Sequence, residues 1–164
     1  MRILHLTKRY WPHRGGVERH VRDLATGLVQ TGEATVEVLV AAGSGATMRR
    51  TWGNPARTVL FVGRLIYYKG LPVLLDAMSG IDATLVLAGE GRDRAALEAQ
   101  ATRLGIGGRV RFLGDVPEDD LAALYHACDV FVLPSTASTE GFGLVQLEAM
   151  ACAKPVVSTR LPTG

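Results

Sequence analysis

Two carboxylates and two cations stand where this sequence could do chemistry. Glu140 and Glu148 bracket a glycine-rich stretch, Glu140-Gly141-Phe142-Gly143-Leu144-Val145-Gln146-Leu147-Glu148, that follows the apolar run Val130–Pro134. A glycine turn that leaves the carboxyl end of a parallel strand and opens a helix aims free backbone N–H groups at the place where α/β folds hold anions. A diphosphate suits that place. Eight residues at ~1.5 Å each separate the two carboxylates by roughly 12 Å. That is too far to flank one glycosidic bond, which needs ~5–9.5 Å, but it suits two ends of one extended ligand. Glu140 alone also reads as a carboxylate complementing a helix N-terminus.

On a helical wheel Glu148 shares a face with Leu144, Leu147 and Ala151, opposite Gln146. A carboxylate on an apolar face is costly unless it is paired or hydrogen-bonded. A ligand hydroxyl would serve as partner, and so would an arginine from a neighbouring element.

The cations lie in Val62-Gly63-Arg64-Leu65-Ile66-Tyr67-Tyr68-Lys69-Gly70, again just past an apolar run. Arg64 and Lys69 together can neutralise a diphosphate, one by its planar fork and the other as a point charge. Taken singly, each is more often a solvated surface charge. Two further turns, Gly89-Glu90-Gly91 and Gly114-Asp115-Val116, are small enough to let a planar ring approach the backbone.

Other chemistries lack their residues. There is no GxGxxG, and no Lys follows a Gly, so dinucleotide and Walker-type phosphate loops are disfavoured, and a Rossmann-type oxidoreductase with them. No HExxH, DxD or His/Cys cluster with ligand spacing occurs, so no metal site is expected. Cys128 and Cys152 sit in apolar, helix-like runs and read as buried thiols.

The elements that must position these groups follow from hydrophobic periodicity. Seven short runs read as strands: Arg2–Thr7, Val36–Ala41, Thr58–Val62, Thr84–Ala88, Val110–Leu113, Val130–Pro134 and Pro155–Thr159. Most are continuously apolar, as strands covered on both faces should be. Between them, Val17, Val21, Leu24, Ala25, Leu28 and Val29 recur at helical intervals, as do Leu121, Leu124, Tyr125 and Cys128. Further helices are expected at 71–79, 93–104 and 143–152. Pro117 followed by Glu118, Asp119 and Asp120 is a helix start, because carboxylates there complement the dipole. The alternation predicts an α/β fold, a Rossmann-like parallel sheet with helices on both faces. Gly43 to Arg57 shows no period and reads as a junction between domains.

Composition narrows the class. The 164 residues are 48% apolar and 21% charged, which excludes disorder, collagen and coiled coil. The 15 Arg and 3 Lys form no basic block despite a net charge of +2, so no nucleic-acid partner is expected. No signal-peptide core and no apolar run near the ~18 residues of a membrane span occurs, and a cytoplasmic location is expected.

Taken in order, these segments resemble the retaining GT-B glycosyltransferases of family four, the large bacterial group of mannosyl-, glucosyl- and N-acetylglucosaminyltransferases. The likeness is carried by Gly15-Gly16-Val17-Glu18, Val62-Gly63-Arg64 with Lys69-Gly70, Ala88-Gly89-Glu90-Gly91, and Phe112-Leu113-Gly114. Asp129-Val130-Phe131-Val132-Leu133-Pro134-Ser135 and the Glu140 to Glu148 pair complete it. The resemblance implies transfer of a sugar from a UDP- or GDP-sugar, without metal or other cofactor, to a glycan, lipid or small-molecule acceptor. Peripheral membrane contact is implied where the acceptor is a lipid.

In such enzymes the residues matching Arg64 and Lys69 bind the donor diphosphate, that matching Glu148 receives the ribose hydroxyls, and that matching Glu140 contacts the transferred sugar. Glu140, Arg64 and Lys69 are thereby the implied catalytic residues. Gly63, Gly89, Gly91 and Gly141 belong to the donor-binding loops, the backbone at Phe142, Gly143 and Leu144 would hold phosphate and sugar oxygens, and the loop at Val116 would meet the base. Gly15 and Gly16 would approach the diphosphate from the facing domain. Residues 1–50 match part of an acceptor-type domain, and residues 51–164 match a donor domain lacking its C-terminal end. None of His5, His13, His20 and His126 matches the family's histidine near the transferred sugar. The 164 residues by themselves are therefore expected to bind donor weakly and transfer to no acceptor, or to be a binding remnant of the same fold, whereas a longer parent would be active.

Overall fold

The computed structural model describes residues 2–7, 35–40, 45–137 and 143–161. Strands β1 (Arg2–Thr7) and β2 (Thr35–Val40) pair in parallel, Arg2 opposite Thr35. A second, five-stranded sheet holds β3 (Thr58–Val62), β4 (Thr84–Ala88), β5 (Val110–Gly114), β6 (Val130–Leu133) and β7 (Val156–Ser158). Its order is β5-β4-β3-β6-β7, and every pairing is parallel. The seven strands coincide with the seven apolar runs to within a residue or two. The helix expected at 17–29 lies outside the described residues.

The helices fall where the 3.6-residue period puts them. Helix α2 (Leu71–Met78) joins β3 to β4, α3 (Arg94–Arg103) joins β4 to β5, α4 (Glu118–Ala127) joins β5 to β6, and α5 (Leu144–Ala151) joins β6 to β7. The first two crossovers step toward one edge of the sheet and the last two toward the other. Right-handed crossovers that step in opposite directions lie on opposite faces. The contacts agree: α2 packs on α3, and α4 packs on α5. Both faces of the central strands are thus covered, and Leu85, Val86, Leu87 and Ala88 of β4 are buried in unbroken succession. Pro117 and the acidic turn Glu118, Asp119, Asp120 open α4 as expected.

One element departs from the sequence reading. The aperiodic stretch 43–57 contains α1 (Gly45–Thr51), which packs against α4. Only Gly45 of this helix is buried, and Trp52 just beyond it joins the core. The helix is held by Arg49, whose guanidinium donates to the carbonyls of Pro55, Ala56 and Ala127 and grips both carboxylate oxygens of Asp129 at 2.9 and 2.8 Å. Asp129 also accepts from the Thr58 N–H at 2.7 Å, at the start of β3. A short helix with one buried glycine, Met48 packed partly against the core and Arg49 bound to carbonyls and a carboxylate leaves no hydrophobic period to read. Both cysteines are buried and neither is in a disulfide, and burial pushes the Cys128 thiol up to about 12. No described helix is long and apolar enough to cross a membrane.

Candidate functional site

The strand order reverses between β3 and β6, and in open parallel sheets ligands bind in the crevice outside the carboxyl ends of the strands at such a switch point. The loops leaving β3 and β6 meet there. Thr136 N–H donates to the Tyr68 carbonyl at 2.8 Å, and Gly70, with φ +66°, stands so close to β6's end that a Cβ would lie 1.9 Å from the Pro134 oxygen. No other residue fits there without moving backbone. The β3 loop is stitched in turn to the β4 loop by Leu65 N–H to the Glu90 carbonyl at 2.9 Å, and Gly89 N–H reaches the Gly114 carbonyl at 2.7 Å.

Two of the glycines expected to admit a ligand have a prior use. A Cβ on Gly89 would lie 2.2 Å from the Gly63 oxygen, and one on Gly91 2.2 Å from the Leu65 oxygen. Their smallness first serves the approach of Gly63–Leu65 to the neighbouring loop. The result is a continuous rim of backbone at the carboxyl ends of β5, β4, β3 and β6.

Arg64 and Lys69 stand on this rim with Tyr68 between them. The Arg64 guanidinium donates to the Tyr68 hydroxyl at 3.4 Å, and the Lys69 ammonium lies 5.5 Å from the Tyr68 ring centre. A short 3-10 turn, Tyr67–Lys69, ends at Gly70, which begins α2 without a side-chain cap. Helix α5 likewise starts at Gly143, φ +65°, without a side-chain cap. Two helix N-termini with positive dipole ends thus accompany two cations at the switch point. Val116, expected near the base, packs half-buried against the core at the far end of the rim. Glu90 pairs with Arg94 at 2.7 Å, and Arg94 lies 5.7 Å over the Phe112 ring. Gly15, Gly16, Glu140, Gly141 and Phe142 lie outside the described residues.

Glu148 is brought to the same end by α5, but by a different face than the wheel predicted. Leu144 and Leu147 are 63% and 48% exposed, whereas Ala149 is buried, Val145 packs on the core and Cys152 is buried just past the helix. Small side chains at i, i+4 and i+7 let the helix lie close to its neighbours, and the leucines are turned out. Glu148 is half-buried beside that seam. Its partner is no arginine. The Tyr125 hydroxyl donates to Glu148 Oε2 at 2.6 Å. Burial, then this bond, drives the Tyr125 phenol far above its ordinary value, so it is a permanent donor.

Sequence reasoning missed Tyr68 and Tyr125 as site residues. Tyr125 lies on the apolar face of α4 with Leu121 and Leu124, and that period cannot tell a core tyrosine from one whose hydroxyl reaches a carboxylate. Tyr68 offered a signal in lying between the two cations. Among the described residues no group of three or more His, Cys, Asp or Glu could hold a metal ion.

A depression of about 310 Å³ lies at the opposite end of the sheet, lined by Arg57, Asp82, Thr84 and Arg109 among others. It is at the amino ends of the strands, and Arg109 is spent on the carbonyls of Met78, Ile81 and Ala83. The Arg109 charge there is thus engaged by the backbone of the β3–β4 connection.

Known proteins resemble this chain in sequence and in fold. A sequence model of the glycosyl transferases group 1 matches residues 48–164. The D-rhamnosyltransferase WbpZ of Pseudomonas aeruginosa is 44% identical over 108 residues, covering 66% of this chain and 28% of that protein. A D-inositol 3-phosphate glycosyltransferase of Corynebacterium urealyticum is 38% identical over 162 residues, 89% of this chain and 37% of its own. The fold is similar to that of Anabaena Alr3699/HepE in complex with UDP and glucose, with a TM-score of 0.68, 28% identity and coverage of 98% of this chain and 45% of that one. The chain thus spans less than half the length of these relatives. Matched by the family model over well more than half its residues, and folded as GT-B glycosyltransferases are, the chain belongs to the group 1 glycosyltransferases.

Proposed function

We propose that this chain supplies the donor site of a retaining, metal-independent glycosyltransferase that takes its sugar from a UDP- or GDP-sugar. The observation that carries the reading is the convergence of Arg64, Lys69 and two uncapped helix N-termini on one switch point. Preorganised cations and dipoles aimed at a leaving diphosphate can stabilise its developing charge without a metal ion. Glu148 would receive the ribose hydroxyls, Glu140 would contact the transferred sugar, and the Val116 loop would meet the base. The HepE complexes contain UDP and UDP-glucose, which supports a nucleotide-sugar donor here. The acceptor would be a glycan, lipid or small molecule, and a cytoplasmic enzyme would meet a lipid acceptor at the membrane surface.

Residues 51–164 would form the donor domain and residues 1–50 part of a facing acceptor domain, with α1, which packs on α4, attached to the donor side. Because the chain spans only part of its relatives, sugar transfer belongs to a polypeptide holding both domains, and donor binding is what these residues can do. Calorimetry with UDP-glucose and with a GDP-hexose in EDTA tests it. One of the two should bind with EDTA present. Binding only after addition of Mg²⁺ or Mn²⁺ would overturn the metal-free mechanism, and binding of neither would overturn the donor site.

A further inference from the structure

Tyr125 is 1% exposed, yet its hydroxyl leaves the core to meet a half-buried carboxylate. A buried phenol needs an acceptor, but a backbone carbonyl or an amide would satisfy it at less desolvation cost than a carboxylate. A carboxylate has about four acceptor positions on two oxygens. Tyr125 occupies one of them, on Oε2, and among the described residues Oε1 has no partner. The tyrosine itself cannot follow the carboxylate. Its ring meets Phe131 edge-on at 5.7 Å, and Phe131 is fully buried on β6, the strand beside the switch point.

We propose that Tyr125 is a positioning residue for nucleotide recognition: its anchored hydroxyl fixes the Glu148 carboxylate so that the other oxygen is presented to the ribose hydroxyls of the donor. This rests on the reading of Glu148 as the ribose acceptor. A glutamate free to rotate loses rotamer entropy on binding ligand, and one already fixed in the binding geometry has less to lose. The phenol remains a donor throughout the physiological range, so the arrangement persists with or without nucleotide.

The test is discrimination between ribose and deoxyribose. UDP and GDP, each beside its 2′-deoxy counterpart, are titrated calorimetrically into the wild-type chain, Tyr125→Phe, Glu148→Asp and Leu97→Ala, with a melting temperature for each. The wild type should prefer the ribonucleotide about tenfold or more. Tyr125→Phe, which keeps the ring, should lose most of that preference while binding the deoxynucleotide as before. Glu148→Asp, whose shorter arm cannot reach the phenol, should behave alike and serves if Tyr125→Phe folds poorly. Leu97→Ala, which truncates a buried core side chain on α3 away from Tyr125, should lower the melting temperature and leave the preference intact. A full preference retained in both Tyr125→Phe and Glu148→Asp would overturn the positioning role while sparing the ribose reading. A wild type without preference would overturn the ribose reading and the positioning role together.

Discussion

Arg64 and Lys69 differ from the surface arginines of this chain in what surrounds them. They flank Tyr68 on a loop pinned on both sides by backbone hydrogen bonds, so their charges are held over the carboxyl end of the sheet. A hydrogen bond to a charged group contributes ~1.5–3 kcal/mol, about ten- to a hundredfold in affinity. Arg64→Ala and Lys69→Ala should each weaken UDP binding by about that factor and leave binding of uridine, which has no phosphate, unchanged. Arg64 is exposed, and its removal should barely alter the melting temperature. Equal losses for UDP and uridine would show that these residues do not meet the diphosphate. Both cations were legible in the sequence because position after a strand is a local property. The partner of Glu148 was not, because the Tyr125 to Glu148 bond joins residues 23 apart through the fold. The outward turn of Leu144 and Leu147 was hidden for a related reason: a wheel ranks side chains by hydrophobicity, and close packing here selected the smaller Val145 and Ala149.

At the scale of elements, strands and crossover helices were readable because burial on both faces writes continuous apolar runs. Helix α1 was not, since its attachment is Arg49 and Asp129 rather than an apolar stripe. Asp129 ties three elements by accepting from Arg49 of α1 and from the first residue of β3, and it sits one residue before β6. The Arg49 hydrogen bonds hold its carboxyl below the usual carboxylate range, ahead of the opposing effect of desolvation. A carboxylate with a depressed folded-state pKa adds stability that is present above its unfolded value of ~3.9 and is lost as pH falls through the folded value. Asp129 is 45% exposed, so solvent screens the pair and its worth is discounted. Asp129→Asn should cost about 1–2 kcal/mol at pH 7, read as a lower urea midpoint. The gap between variant and wild type should narrow only below about pH 4. A gap that stays constant down to pH 2 would mean that the charge of Asp129 contributes nothing to holding the junction helix.

At the scale of the whole molecule, one architectural fact directs function. Crossovers stepping outward from β3 and from β6 leave a crevice between those strands at their carboxyl ends, where the β3 loop carries the cations, α2 and α5 begin, and α5 carries Glu148. The opposite end holds the depression lined by Arg57, Asp82 and Arg109, which is the competing place for an anion. The two ends are resolved by an amide NMR titration of the ¹⁵N-labelled chain with UDP and, separately, GDP in EDTA. Binding at the switch point predicts saturable shifts at Gly63–Gly70 and at Gly143 and Leu144, with Arg57, Thr84, Gly108 and Arg109 unmoved. Saturable shifts confined to Arg57, Thr84, Gly108 and Arg109, or none with either nucleotide, would contradict a donor site at the carboxyl ends of the strands.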